Sequence, residues 1–315
     1  MIDKPVLIID GLNFFTRHFV VNPAMSQNGH HLGGFVGFLK GLRLLSERCS
    51  PAQIVVVWEG GGSSRRRAIF SDYKQGRRPQ KLNRYYEDIP DTFGSRNRQV
   101  ALLVEALRHV PVRQVYVTEC EADDAIAYMT KYQYRDHKCV IVSSDKDLYQ
   151  LIDDRVTQWS PGQKTYITSE KVKEKFGVSV SNIVTARAFI GDPSDGLKGV
   201  PHAGFKSLAK RFPELLSDEH VSVRDVVTMA EKLLETKKLK VLDSIVENSD
   251  VALRNWKLMY LDITNLSGQQ IEKIKYTIDS FEAKRNKIAL MRMLMREGVN
   301  NFDVDSYYVA IKNCK

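Results

Sequence analysis

Short apolar runs punctuate the first half of the chain. Residues 6–9, 54–57, 115–117 and 140–142 are rich in valine and isoleucine and carry no alternation of polar and apolar positions. Continuous runs of this length predict strands covered on both faces, as in a parallel sheet. Between them the spacing becomes helical. Phe35, Phe38, Leu39, Leu42 and Leu45 share one face over 34–46, Val100, Leu103, Val104 and Leu107 share one over 97–109, and Ile126 and Met129 mark 121–131. Strand and helix alternating in this way predict an α/β domain whose site lies at the carboxyl ends of its strands.

From about residue 181 helical segments dominate. A soft boundary near 180 divides the expected domains into 1–180 and 181–315. The segment 281–297 predicts a helix with Ile288, Leu290, Met291 and Leu294 near one side, a core-packing pattern.

The 315 residues are enough for a full core and a second unit. No apolar run approaches the roughly 20 residues of a membrane span. The first ten residues read directly into a strand, so a cytoplasmic, membrane-free protein is expected. Cys49, Cys120, Cys139 and Cys314 lack metal-site spacing and read as reduced thiols. The net charge of +9 favours a polyanionic partner, nucleic acid first. Its placement sharpens this. Eight of the basic residues fall within 63–84, among them Arg65, Arg66, Arg67, Lys74, Arg77 and Arg78, with Lys81 and Arg84 completing the group. Tyr73, Tyr85 and Tyr86 lie in or beside it. A solvated basic loop is the plain reading. Basic side chains mixed with aromatics also suit a groove for a nucleic-acid strand.

Acidic residues recur where the strands end. Asp10 closes the first run and Glu59 follows the second. Glu121, Asp123 and Asp124 open the helix after the third, and Asp145 and Asp147 follow the fourth. Asp192 and Asp195 sit in a glycine-flanked turn. Each has an ordinary alternative: a helix dipole for Asp123 and Asp124, a helix cap for Asp147, turn chemistry for Asp192 and Asp195. Nine carboxylates on one sheet rim would repel unless cations neutralised them. Oxygen-only donors select hard ions, so magnesium or manganese is expected. Zinc is disfavoured, because no His or Cys accompanies the set at ligand spacing. Two such ions about 4 Å apart suit phosphodiester hydrolysis.

The order Ile9-Asp10-Gly11-Leu12-Asn13, Tyr73-Lys74-x-x-Arg77, Glu121-Ala122-Asp123-Asp124, Ser144-Asp145-Lys146-Asp147 and Gly191-Asp192-x-x-Asp195 resembles the flap endonuclease, or 5′-nuclease, family, notably its bacteriophage replicative members. The likeness spans roughly residues 6–210 and includes Gln158-Trp159-Ser160-Pro161. It implies a PIN-like, Rossmann-like parallel-sheet nuclease domain with a helical arch near 63–98. A mostly helical domain containing a helix–three-turn–helix would follow.

It further implies that Asp10, Glu121, Asp123 and Glu59 hold one metal ion. Asp124, Asp145, Asp147, Asp192 and Asp195 would serve a second. Lys74 and Arg77, i and i+3 on one helix face, would contact the scissile phosphate. Tyr73 would stack on a terminal base, with Arg78 and Arg84 also on DNA. Gly199, Val200, Gly204 and Lys206, in Gly199-Val200-Pro201-His202-Ala203-Gly204 and the helix start after it, would grip a duplex and hold potassium. Glu59 stands where relatives usually carry Asp, and His202 and Ala203 stand where Gly and Ile are common. The implied activity is 5′→3′ exonuclease, flap endonuclease and RNase H-type removal of RNA–DNA primers by a monomer, with a single-strand-binding protein and a sliding clamp as partners. An aspartate-nucleophile phosphatase would need Asp where Leu12 stands. A toxin-type RNase on a related sheet and a non-cleaving branched-DNA-binding protein remain as alternatives.

Overall fold

The structure is a computed structural model that describes residues 4–75 and 92–314. The chain runs β1 (Val6–Asp10), α1 (Gly11–Val21), α2 (Gly33–Cys49), β2 (Gln53–Trp58), α3 (Ser64–Ile69), α4 (Thr92–Leu107), β3 (Arg113–Tyr116), α5 (Ala122–Tyr128), β4 (Cys139–Val142), β5 (Val156–Ser160) and β6 (Thr165–Ile167). Then come α6 (Ser169–Phe176), α7 (Ile183–Ile190), α8 (Phe205–Arg211), α9 (Val223–Leu234), α10 (Lys240–Glu247), α11 (Ser249–Met259), α12 (Gly268–Asp279), α13 (Lys287–Arg296) and α14 (Val304–Ala310).

One six-stranded sheet has the order β3-β2-β1-β4-β5-β6. All neighbours are parallel except β5 and β6. The chain winds outward from β1 to β3, then crosses back to lay β4 on the other side of β1. That reversal opens a crevice at the carboxyl ends of β1 and β4, where ligands of doubly wound sheets bind. The register sets Ile9 against Val142, so Asp10 emerges beside Ser143.

The four expected strands are present. Two more were not foreseen: residues 156–160 form β5 inside the sheet, and β6 closes one edge. Gln158 and Ser160 are polar yet buried there, which hides the strand from an apolar-run search. The helix expected over 121–131 runs as α5 into a π turn at Met129–Gln133.

Each face of the sheet is covered. Leu7, Ile9, Phe15, Phe35 and Phe38 belong to one core and Ile8, Val55, Ile126 and Met129 to the other. A third core gathers Phe189, Leu208, Phe212, Val226 and Leu242 from α7 to α10. The segment expected as a single second unit therefore divides. From Leu258 onward the chain returns to the sheet: Ile274 and Ile278 of α12 join one face, and Leu290, Leu294, Tyr307 and Ile311 join the other. The helix expected over 281–297 is shorter, starting at Lys287. Leu290 and Leu294 are buried, whereas Ile288 and Met291 are exposed. Among the described residues no helix is long and apolar enough to cross a membrane.

Candidate metal centre and nucleic-acid interface

Strand ends and helix starts place the acids. Asp10 caps α1: its Oδ1 accepts from the Asn13 N–H at 3.1 Å, and its Oδ2 accepts from Ser143 Oγ at 3.0 Å. Glu59 leaves β2 and its Oε2 accepts from the Ala122 N–H at 3.4 Å. Glu121 is the N-cap of α5, with Asp123 and Asp124 in the first turn. After β4, the Asp145 N–H donates to Ser143 Oγ and the Asp147 N–H to Asp145 Oδ1 at 2.9 Å. Gln158 of β5 pins this turn, its Nε2 donating to the carbonyls of Ser143 and Asp145, each at 2.8 Å. Gln158 is a site-shaping residue whose role is invisible without the sheet order.

The acids strain one another. Burial pushes Asp10 up to about 7, and the Asp145 and Glu59 charges push the same way against hydrogen bonds from Asn13 and Ser143. Enclosure in the cleft raises Asp147 to about 7. Arg187 pulls it down, while Asp145, Asp195 and Asp192 raise it. Asp123 and Glu59 are raised by burial first and by neighbouring carboxylates second. Asp192 goes the other way: burial is outweighed by Ser194 and Arg187.

Three cations thread the cluster. Lys74 Nζ lies 2.9 Å from Glu121 Oε2 and 3.8 Å from Asp195. Burial disfavours its charge, but Glu121 and Asp195 hold it firmly protonated. Arg66 grips Asp124 with both terminal nitrogens, at 2.5 and 2.8 Å, and its Nε donates to the Leu258 carbonyl at 2.7 Å. Arg187 Nη2 bridges Asp147 at 2.5 Å and Asp192 at 2.8 Å. Arg66 entered the sequence reading only as part of a basic run, and Arg187 did not enter at all.

These contacts redistribute the expected roles. Asp10, Glu59, Glu121, Asp123, Asp145 and Asp147 share the crevice, with Asp195 beside Lys74. Asp124 has both oxygens engaged by Arg66, and Asn265 Nδ2 donates to one of them at 3.0 Å. Its geometry suits a structural anchor in place of a ligand. Asp192 is divided between Arg187 and the Ser194 N–H and hydroxyl. Tyr73 is not presented to a base: it is buried, and its hydroxyl donates to Glu121 at 3.3 Å. Lys74 sits in a turn at φ +59°, not on a helix. Arg77, Arg78 and Arg84 lie outside the described residues.

In the hairpin, Val200 is buried and its N–H donates to the Phe189 carbonyl at 2.6 Å. A Cβ on Gly199 would stand 2.0 Å from the Ile190 carbonyl oxygen, so this glycine is required by backbone packing. Gly204 precedes α8, on which Lys206 is exposed. A Cβ added at Gly204 would meet nothing within 4 Å.

The donor set fits hard cations. It is all oxygen, several members are held above their ordinary pKa by burial and then by neighbouring carboxylates, and Glu121 Oε1 is buried without a hydrogen-bond partner. Asp147 Oδ1 is near Arg187 but off the hydrogen-bond axis. Among the described residues, no three His, Cys, Asp or Glu side chains already surround one point as an ion's ligands would.

A crevice of oxygen donors at the switch point of a parallel sheet, edged by lysine and arginine, defines a PIN-like nuclease. Residues 5–177 match the family model described as 5′-3′ exonuclease, N-terminal resolvase-like domain. The chain belongs to the 5′-3′ exonuclease family, hydrolases that act on DNA. It is 32% identical to a 5′-3′ exonuclease of Aquifex aeolicus over 69% of this chain and 72% of that protein. It is 30% identical to the flap endonuclease Xni of Shewanella woodyi over 74% of this chain and 88% of that protein. Among solved structures, the bacteriophage T5 5′-exonuclease with bound zinc superposes at TM-score 0.65 with 19% identity, covering 93% of this chain and 97% of that one. Flap endonuclease-1 from Methanococcus jannaschii gives 0.54 with 18% identity, covering 99% and 94%. These two likenesses speak to the fold.

Proposed function

We propose that the chain is a divalent-metal-dependent, structure-selective 5′-nuclease that removes 5′ ends and flaps from duplex DNA and RNA–DNA primers during replication and repair. The observation that carries this reading is Lys74, a half-buried cation laid directly against Glu121 in the acid crevice. Family resemblance and the named relatives, an exonuclease and a flap endonuclease, support the 5′ polarity.

Asp10, Glu59, Glu121 and Asp123 would hold one ion, and Asp145, Asp147 and Asp195 a second, magnesium before manganese. Such ions, when bound, acidify a water and neutralise phosphodiester charge. Lys74, which lies against Glu121 and Asp195, would contact the scissile phosphate and offset its developing charge. Arg66 keeps Asp124 and Glu121 in place, and Arg187 orients Asp147. The 199–204 hairpin would grip the duplex, with potassium as its candidate ion. A single-strand-binding protein and a sliding clamp are the proposed partners of a monomer.

The test is cleavage of a labelled flap with magnesium. Asp145→Asn abolishes cleavage and leaves DNA binding intact. Lys74→Ala lowers kcat by roughly 10²–10³-fold, the usual cost of removing one group that stabilises transition-state charge. Full activity in Asp145→Asn would sink the assignment.

A further inference from the structure

β3, one of the sheet's two edge strands, is flanked by α4 on one side and α12 on the other. A groove of about 1180 Å³ runs between these helices. Glu59 and Gly61 line it at the acid rim, where Trp58 pairs with Tyr116. Val110, Val112 and Lys284 line it where β3 begins. The groove therefore starts at the carboxylate crevice and descends along the sheet edge.

Its chemistry is divided. Val100, Val104 and Leu107 of α4 make an apolar wall. Gln114 closes the base, accepting from Trp58 Nε1 at 3.0 Å and donating to the Val104 carbonyl at 3.0 Å. Tyr116 and Tyr276 stand 52% and 69% exposed along it, with Phe281 further down. Arg96, Arg108, Lys273 and Lys284 line it against only two carboxylates, Glu59 and Glu282. Among the described residues, Arg108, Lys273 and Lys284 take part in no salt bridge.

We propose that this groove carries the single-stranded 5′ extension of a substrate away from the acid rim. The proposal rests on the nuclease reading above. The groove's lining runs from Glu59 at the acid rim to Lys284 where β3 begins, a course that suits an extended occupant. Arg113 Nε donates to the Ile278 carbonyl, which holds α12 beside β3. Cations for phosphates and exposed rings for base faces are the two components of a single-strand groove. Continuity with Glu59 and Gly61 gives the strand its entry.

The experiment measures binding in EDTA by fluorescence anisotropy, using a nicked duplex with or without a ten-nucleotide oligo-dT 5′ extension. Lys273→Glu/Lys284→Glu and Tyr276→Ala alter exposed side chains, and circular dichroism confirms their folding. Each variant is expected to lose about tenfold in affinity for the extended substrate, the scale of one stacked base or two phosphate contacts, and nothing for the unextended nick. The double charge reversal also lowers the log–log salt slope by roughly 1.4 on the extended substrate. Unchanged affinity for the extension, or an equal loss on both substrates, overturns the proposal. So does binding of an acidic amphipathic peptide in the groove that fails to compete with the extension. Wild-type protein that cleaves neither substrate with magnesium or manganese refutes the nuclease reading. Wild-type cleavage with unchanged variants refutes the groove alone.

Discussion

Asp10→Asn tests whether the crevice disfavours the ionised carboxylate, through burial first and the Asp145 and Glu59 charges second. Asp10 is buried, and its pKa stands near 7 against an ordinary 3.8. Between those values the folded chain keeps a proton that the unfolded chain has released. Stability from this group is thus fully present below about pH 4 and is lost as pH rises through 7. From pH 5.5 to 8 the loss is about 2 kcal/mol. His18 acts in the opposite sense: burial lowers it to about 4, so its contribution grows as pH climbs toward 6.5. That effect is shared by wild type and variant and cancels in their difference. Urea unfolding in EDTA at pH 5.5 and 8 should therefore show the variant gaining about 2 kcal/mol relative to wild type over that interval. Adding magnesium at pH 8 should stabilise wild type more than the variant, because ligation needs the ionised carboxylate. A wild-type-to-variant difference independent of pH would refute the reasoning.

Two further outcomes follow from the packing. Arg66→Ala strands the buried Asp124 carboxylate and should cost about 3–5 kcal/mol in urea unfolding, with Asp124→Asn in the same chain restoring much of it; a cost under about 1 kcal/mol would mean that the pair is not an anchor. Gly199→Ala forces a Cβ into the Ile190 carbonyl and should cost more than about 3 kcal/mol or prevent folding, whereas Gly204→Ala, with open space around it, should stay within about 1 kcal/mol.

Much of the site is legible in sequence because its parts are local. A strand covered on both faces needs an unbroken apolar run, so residues 6–9, 54–57 and 140–142 announce themselves, and the acid after each is found by reading one to three positions on. Carboxylates without His or Cys already select hard ions. What the sequence cannot carry is pairing between distant residues. Arg66 meets Asp124 58 positions away, Arg187 meets Asp147, and Gln158 holds the Ser143–Asp145 turn only because β5 lies next to β4. Tyr73 and Asp124 looked available for DNA and metal because burial and prior hydrogen bonds are properties of the folded neighbourhood. The return of α12 to α14 onto the sheet depends likewise on which apolar faces remain uncovered once the strands have been ordered. Residue chemistry is written position by position, whereas the partner that neutralises, orients or buries each group is chosen only when the chain closes on itself.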